Sequence, residues 1–234
     1  MIFWAGKSSD DVGAIVEYYP ALPRPARKAE TVQIPGRNGD LIYMQDAFEN
    51  YEQPYAIYIS AERIKIPNAA ISVSQWLNAP KGYQRLEDSY EPEFFRMACY
   101  TGPTDIENIL NRFGRAQINF KCKPQRFART GEYPKTFTKA EVILNPFAFP
   151  ALPLIKVYGS GSGVLQVGTY AVKFLELNEY TVLDCETQNA YKGTQNKNNT
   201  IYAPEFPRLE PGETHISWTG GIQKIEIAPR WWTL

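Results

Sequence analysis

One histidine, His215, three cysteines, Cys99, Cys122 and Cys185, and a scatter of carboxylates are the groups in this chain whose types suit catalysis or metal binding. A single histidine cannot build a two-histidine metal site, and no cysteine lies near it in sequence. The cysteines are odd in number and form no C-x-x-C pair, which favours buried free thiols over a disulfide framework or a zinc knuckle. A Ser-His-Asp triad finds no supporting G-x-S-x-G segment, so His215 reads as a strand histidine. Asp184, Glu186 and Glu213 are acids that glycoside hydrolysis could use. Their spacing fixes no carboxylate separation, and they read as solvated or turn-capping groups. The run Gly159-Ser160-Gly161-Ser162-Gly163 lacks the Lys-Ser/Thr of a phosphate-binding loop and opens no helix, so it reads as a turn. The sequence assigns no catalytic residue, no metal ligand and no cofactor.

The stretch Gln33-Ile34-Pro35-Gly36-Arg37-Asn38-Gly39-Asp40-Leu41 is more informative. Asn38-Gly39 is a strong signal for a two-residue hairpin loop of type I′, whose two central residues need positive φ. Pro35-Gly36 adds a second turn or a bulge. Arg37, Asn38 and Asp40 would cluster at the tip with no base, ligand or phosphate cradle around them. The stretch reads as an architectural turn, suited to a subunit contact. At the other end of the chain, Trp218, Trp231 and Trp232 could anchor a partner or stack on sugars, but closing a core near the end of the chain is the simpler reading.

The elements that position these residues are mostly strands. The 234 residues fit one large all-β domain or two small ones, and 44% hydrophobic content excludes wholesale disorder. Aromatics reach 14%, with fifteen tyrosines, which favours strands and contact surfaces. Lys+Arg and Asp+Glu balance at 25 each, so no basic excess points to nucleic acid or an anionic membrane. No apolar run reaches the roughly 18 residues of a membrane helix, and no signal peptide is visible at the start, so folding in a cytosol is expected.

Strand signals fall at residues 13–19, 29–34, 41–48 and 55–61, with Pro20, Pro23 and Pro25 making 20–30 an extended loop. Residues 68–77 change to a helical period, with Ile71, Val73, Trp76 and Leu77 on one face, Asn68 as N-cap and Pro80 as the stop. Further strands are expected near 82–87 and at 94–100, and 104–110 reads as a short helix or a bulged strand. Residues 115–123 alternate cleanly, with Ala116, Ile118, Phe120 and Cys122 on one face. Three prolines in residues 146–153 mark a boundary. Beyond it, short runs at 153–158, 163–167, 169–175, 180–184, 215–218 and 223–227 suggest a sandwich or jelly roll. The polar run 187–200 is expected to be a loop tip.

Laid out in this order, the chain resembles the distal tail proteins of long-tailed siphophages. The resemblance rests on three ordered blocks: residues 34–41; Phe120-Lys-Cys-Lys-Pro-Gln-Arg-Phe127; and a third that runs from Asn145-Pro146 through 153–161 and 206–218 to Pro229-Arg-Trp-Trp232. It implies a mainly β protein of two domains, 1–143 and 144–234, whose last residues could pack back on the first. The N-terminal domain would be a β-sandwich with one or two short helices that assembles into a hexameric ring. The C-terminal domain would be a galectin-like jelly-roll sandwich. The implied partners are further copies of the chain, a tail tube protein, a tail-associated hub or lysin protein, and receptor-binding or baseplate proteins. The implied location is the virion tail tip, after synthesis in the host cytoplasm. A lectin-like adhesion module is the alternative; galectin sites combine His, Asn, Arg and Trp, and His215 and Trp218 lack a matched Asn-Arg partner.

Overall fold

The computed structural model describes residues 1–60, 66–103, 107–109 and 113–234. They form two compact units, Met1–Arg126 with Leu234, and Phe127–Thr233.

The first unit is built from β1 (Ile2–Trp4), β2 (Lys7–Ser8), β3 (Ala14–Val16), β4 (Arg27–Val32), β5 (Leu41–Phe48), β6 (Tyr51–Ser60), α1 (Ile66–Asn78), β7 (Gln84–Asp88), β8 (Phe94–Tyr100), β9 (Glu107–Ile109) and β10 (Phe113–Ala128). Its main sheet runs in the order β2-β1-β7-β8-β10-β6-β3, with β9 also on β10. Strict alternation decides which face is buried. Ile118, Phe120 and Cys122 on β10 join Tyr55, Ile57 and Ile59 on β6, and Trp4 on β1, in one core. Trp4 and Phe120 meet at 4.8 Å between ring centroids. Pro54 sits in β6 opposite Asn119, where β3 has not yet joined the other edge, so no ladder donor is missed.

Helix α1 closes this core with Ala69, Val73, Trp76 and Leu77, all buried. The expected face was right except for Ile71, which is 56% exposed. Two residues from Val73 is about 200° of helical turn, which carries Ile71 to the far side. Asn68 is the third helical residue, not the cap, and its carbonyl accepts a hydrogen bond from Ser72 Oγ at 3.2 Å. Of the expected element at 104–110, residues 107–109 are strand and the rest lie outside the described residues.

A charged cluster is sealed into the same unit. Arg96 and Asp88 are both buried; the Arg96 Nη1 donates to Asp88 Oδ2 at 3.2 Å and its Nε to the Tyr51 hydroxyl at 3.0 Å. The Tyr55 hydroxyl donates to the same Asp88 oxygen at 2.6 Å. Glu91 links Arg96 to Arg126, and Arg126 also donates to the main-chain oxygen of Leu234. Burial, reinforced by the Asp88 charge, pushes the Tyr55 hydroxyl far above its ordinary pKa, so it remains a donor. Burial likewise pushes the Cys122 thiol up to about 12, which makes it an inert core group.

The second unit contains β11 (Lys135–Phe137), β12 (Glu141–Asn145), β13 (Leu154–Val167), β14 (Tyr170–Asp184), β15 (Asn189–Lys192), β16 (Gln195–Asn196), β17 (Ile201–Tyr202), β18 (Gly212–Ala228) and β19 (Trp232–Thr233). β11 and β12 precede the proline-rich stretch but pair with β18, which is why they belong here. The run 187–200, expected to be a loop tip, is mostly the hairpin β15–β16 followed by a 3-10 turn.

The separate short strands expected beyond residue 153 are halves of three long ones. β13, β14 and β18 run through the positions where turns were expected, and the glycine run 159–163 is a β-bulge inside β13. A close approach explains it. A Cβ on Gly221 would stand 1.7 Å from the Ser160 carbonyl oxygen, and one on Gly220 would stand 2.4 Å from that of Ser162. Glycines on both strands let the two backbones touch there. The break divides the pairing into two sets that share these three strands. β12 and β17 flank the half that holds Leu165 and Val172; β11, β15 and β16 flank the half that holds Ile155 and Leu183.

Two outcomes follow from this packing. Replacing Arg96 by Ala strands the buried Asp88 charge and should lower stability by about 3–5 kcal/mol in urea unfolding. Gly221→Ala drives a methyl into backbone and should lower stability on the order of 3 kcal/mol, whereas Gly193→Ala, with open space around it, should lose only about 1 kcal/mol to its positive φ.

Candidate assembly surface

Strands β4 and β5 pair with each other and with no other strand among the described residues. The ladder runs Val32↔Leu41, Thr31↔Ile42, Glu30↔Tyr43 and Ala29↔Met44, with a bulge between Arg27 and Ala29. Directly opposed residues share a face, so Val32, Leu41 and Tyr43 lie on one side of the ribbon and Ile42 and Met44 on the other. Both sides are open: Leu41 is 54% exposed, Ile42 60%, Tyr43 64% and Met44 57%.

Several polar groups along the two strands pair within the arm. Gln45 Nε2 donates to Glu30 at 2.8 Å, Arg27 lies 3.5 Å from Asp46, and the Arg27 guanidinium sits 4.9 Å over the Phe48 ring. At the base, the Glu49 N–H donates to the Ala26 carbonyl at 2.8 Å. What remains unsatisfied is apolar surface and two strand edges. An isolated two-stranded ribbon is marginal in water, and contiguous exposed apolar surface of this kind marks a contact region.

The turn at the tip differs from expectation. The strands are joined by eight residues, 33–40, not by a two-residue loop. The Arg37 N–H donates to the Ile34 carbonyl at 3.1 Å around Pro35-Gly36, and Gly36 has φ 79°. Proline second and a positive-φ glycine third make this a type II turn. Gly39 also has positive φ, but Asn38 does not, so the type I′ turn is absent. The two signals compete within one short segment, and the Pro-Gly pair, with its fixed proline φ, closes the hydrogen-bonded turn. Arg37, Asn38 and Asp40 are exposed there, as expected of a tip.

Sequence reading marked these tip residues but missed Leu41, Ile42, Tyr43 and Met44. The signal was present: four consecutive large apolar residues in a strand put apolar groups on both faces, a pattern that demands a layer on each side.

The other singled-out residues are dispersed. His215 is exposed on β18, and Trp218, three positions on, faces the opposite side of that strand, so the two do not converge. Trp231 is buried. Trp232 stacks on Phe149 at 4.5 Å and donates from Nε1 to the Pro150 carbonyl at 2.8 Å. The Arg230 N–H donates to the Gly131 carbonyl, and the Ala128 N–H to that of Trp231, each at 2.8 Å. These contacts make Trp231 and Trp232 packing residues of the second unit. Asp184 is held by Arg230 at 2.6 Å and itself accepts from the Glu186 N–H, while Glu213 is exposed. All three cysteines are free, and no cluster of three metal-ligating side chains occurs among the described residues.

No protein-family model and no curated protein matches the chain. Among solved structures, the Dit protein of phage SPP1, described as a paradigm of the hub adsorption apparatus of phages infecting Gram-positive bacteria, superposes with a TM-score of 0.78 at 14% identity, covering 100% of this chain and 98% of that one. A chain of the phage p2 baseplate in its activated conformation with strontium covers 92% of this chain and 90% of its own, at 10% identity and a TM-score of 0.47. The chain therefore has the fold of the SPP1 hub protein along its whole length, which agrees with the mainly β fold and the siphophage resemblance read from the sequence.

The Arg230 clasp should be visible in acid. Burial alone would raise the Asp184 carboxyl, but the Arg230 hydrogen bond and charge, with smaller help from Thr187 and the Glu186 N–H, hold it below the ordinary value. A depressed folded pKa adds stability at neutral pH that is lost as pH falls through the folded value. Calorimetric melting of the native chain should therefore fall more steeply below about pH 4 than that of Asp184→Asn. Parallel acid profiles would show that the clasp carries no such linkage.

Proposed function

We propose that this chain is a non-catalytic structural protein of a long-tailed phage tail tip, which assembles into a hexameric ring joining the tail tube to baseplate and receptor-binding proteins. The observation that carries this reading is the β4–β5 arm, whose apolar faces have no layer on them among the described residues of their own unit. Its support is the whole-chain likeness to a protein described as a phage adsorption hub. A closed ring needs a heterologous contact, one surface of a protomer meeting a different surface of the next. An arm with open edges suits one half of such a contact.

In this reading the first unit forms the ring. The second unit, as a galectin-like module, is the docking point for receptor-binding or other baseplate proteins, and a tail-associated hub or lysin protein lies beyond. The place of action is the virion tail, after synthesis in the host cytoplasm. A lectin role has less support, because His215 and Trp218 lie on opposite faces of one strand.

Light scattering and electron microscopy of the purified chain should show a ring at high concentration or with tail partners. Ile42→Asp combined with Met44→Asp should leave the melting temperature unchanged and abolish the ring. A persistent monomer of the native chain under both conditions would overturn the reading.

A further inference from the structure

The second unit carries a cleft of about 390 Å³, a size within the range of small-ligand sites. Strand register builds its floor. Val164 on β13 stands opposite Lys173 on β14, and Lys173 stands opposite Tyr202 on β17. Directly opposed residues share a face, so the three form one row across three strands, on the order of 10 Å wide. Their neighbours Leu165, Val172 and Phe174 are fully buried, which turns this row outward. Ala171, two residues from Lys173, extends the floor, and Thr169 and Tyr170 border it at the β13–β14 turn. The Tyr170 hydroxyl is held there by Glu210, to which it donates at 3.2 Å. Glu205, just past β17, lines the cleft from the other direction.

The groups facing this cleft are chemically mixed. Tyr202 is 64% exposed, so a large aromatic ring meets water at its edge. Lys173 and Glu205 are exposed and pair with no opposite charge, and the hydroxyls of Thr169 and Tyr202 bond no group among the described residues. Lysine only donates, glutamate only accepts, and the hydroxyls do both. One positive and one negative group cancel, so the cleft favours neither a polyanion nor a polycation. A pyranose ring matches this set. Its C–H face suits an apolar floor and an aromatic platform, and its rim of hydroxyls both donates and accepts.

We infer that the cleft is a saccharide subsite for one neutral pyranose ring. The ring stacks on Tyr202 and accepts from Lys173 while donating to Glu205. His215 and Trp218 take no part in it. The subsite goes beyond the structural role proposed above: it gives the second unit a glycan contact in addition to protein contacts, and it does not depend on the ring.

The test is saturation-transfer NMR on the full chain, with methyl glycosides of glucose, galactose, rhamnose and N-acetylglucosamine as probes. At least one should receive saturation at its ring C–H protons, with a dissociation constant in the millimolar range. Tyr202→Ala should weaken binding about tenfold, the loss of one stacked aromatic. Lys173→Met and Glu205→Gln should each weaken it severalfold, and His215→Ala should leave it unchanged. These positions are exposed, so melting temperatures should match the native chain; where Tyr202→Ala does not, Lys173→Met and Glu205→Gln carry the test. No transfer to any glycoside would overturn the subsite. So would transfer that Tyr202→Ala, Lys173→Met and Glu205→Gln all leave intact. Both results would leave the ring reading in place, since assembly is measured separately by light scattering.

Discussion

A two-stranded apolar ribbon with water on both faces is not a stable end state, and this constraint organises the molecule. Leu41, Ile42, Tyr43 and Met44 present large side chains to both sides of β5, and β4 is the sole strand beside it among the described residues. Burial of such side chains contributes roughly 1.5–3 kcal/mol each when a second surface covers them. The arm's ion pairs and backbone turn fix its shape, so the stabilisation left to gain is apolar and intermolecular.

The rest of the first unit is closed around a buried core. Its core is a continuous aromatic and aliphatic layer between sheet and helix, and the sealed Arg96–Asp88 pair ties β7 to β8 with Tyr51 and Tyr55 as further partners. Such a pair is weak as net stabilisation but severe when half removed, so it fixes geometry more than it adds stability. The second unit solves a different problem. Three long strands keep their pairing through a sharp local break because glycines at 159, 163, 220 and 221 remove the side chains that would collide.

Much of this was legible in the residues. Alternation at 115–123 gave the buried face of β10, and Phe94–Tyr100 emerged as a strand with the bounds expected of it. The helix was legible but its start was not: Asn68 is a strong cap signal by residue type, yet the helix already runs from Ile66, with Asn68 inside its first turn. The misreadings share one cause. Glycine marks a turn or a bulge equally well, and only the partner strand decides which. The partner of residues 159–163 is Gly220-Gly221, far along the chain. In the same way, the type I′ signal at Asn38-Gly39 was local, and the competing turn at Pro35-Gly36 closed instead. For the contact surface, the plainer signal adjoins the polar tip, where Leu41 to Met44 break the alternation a one-sided ribbon would show.

The central claim is that the arm is covered by another copy of the chain. Hydrogen exchange compared between dilute monomer and the assembled form measures this most directly. The account predicts that amides at 29–32 and 41–44 gain strong protection on assembly while the core strands change little. Equal exchange of these amides in both forms would contradict it.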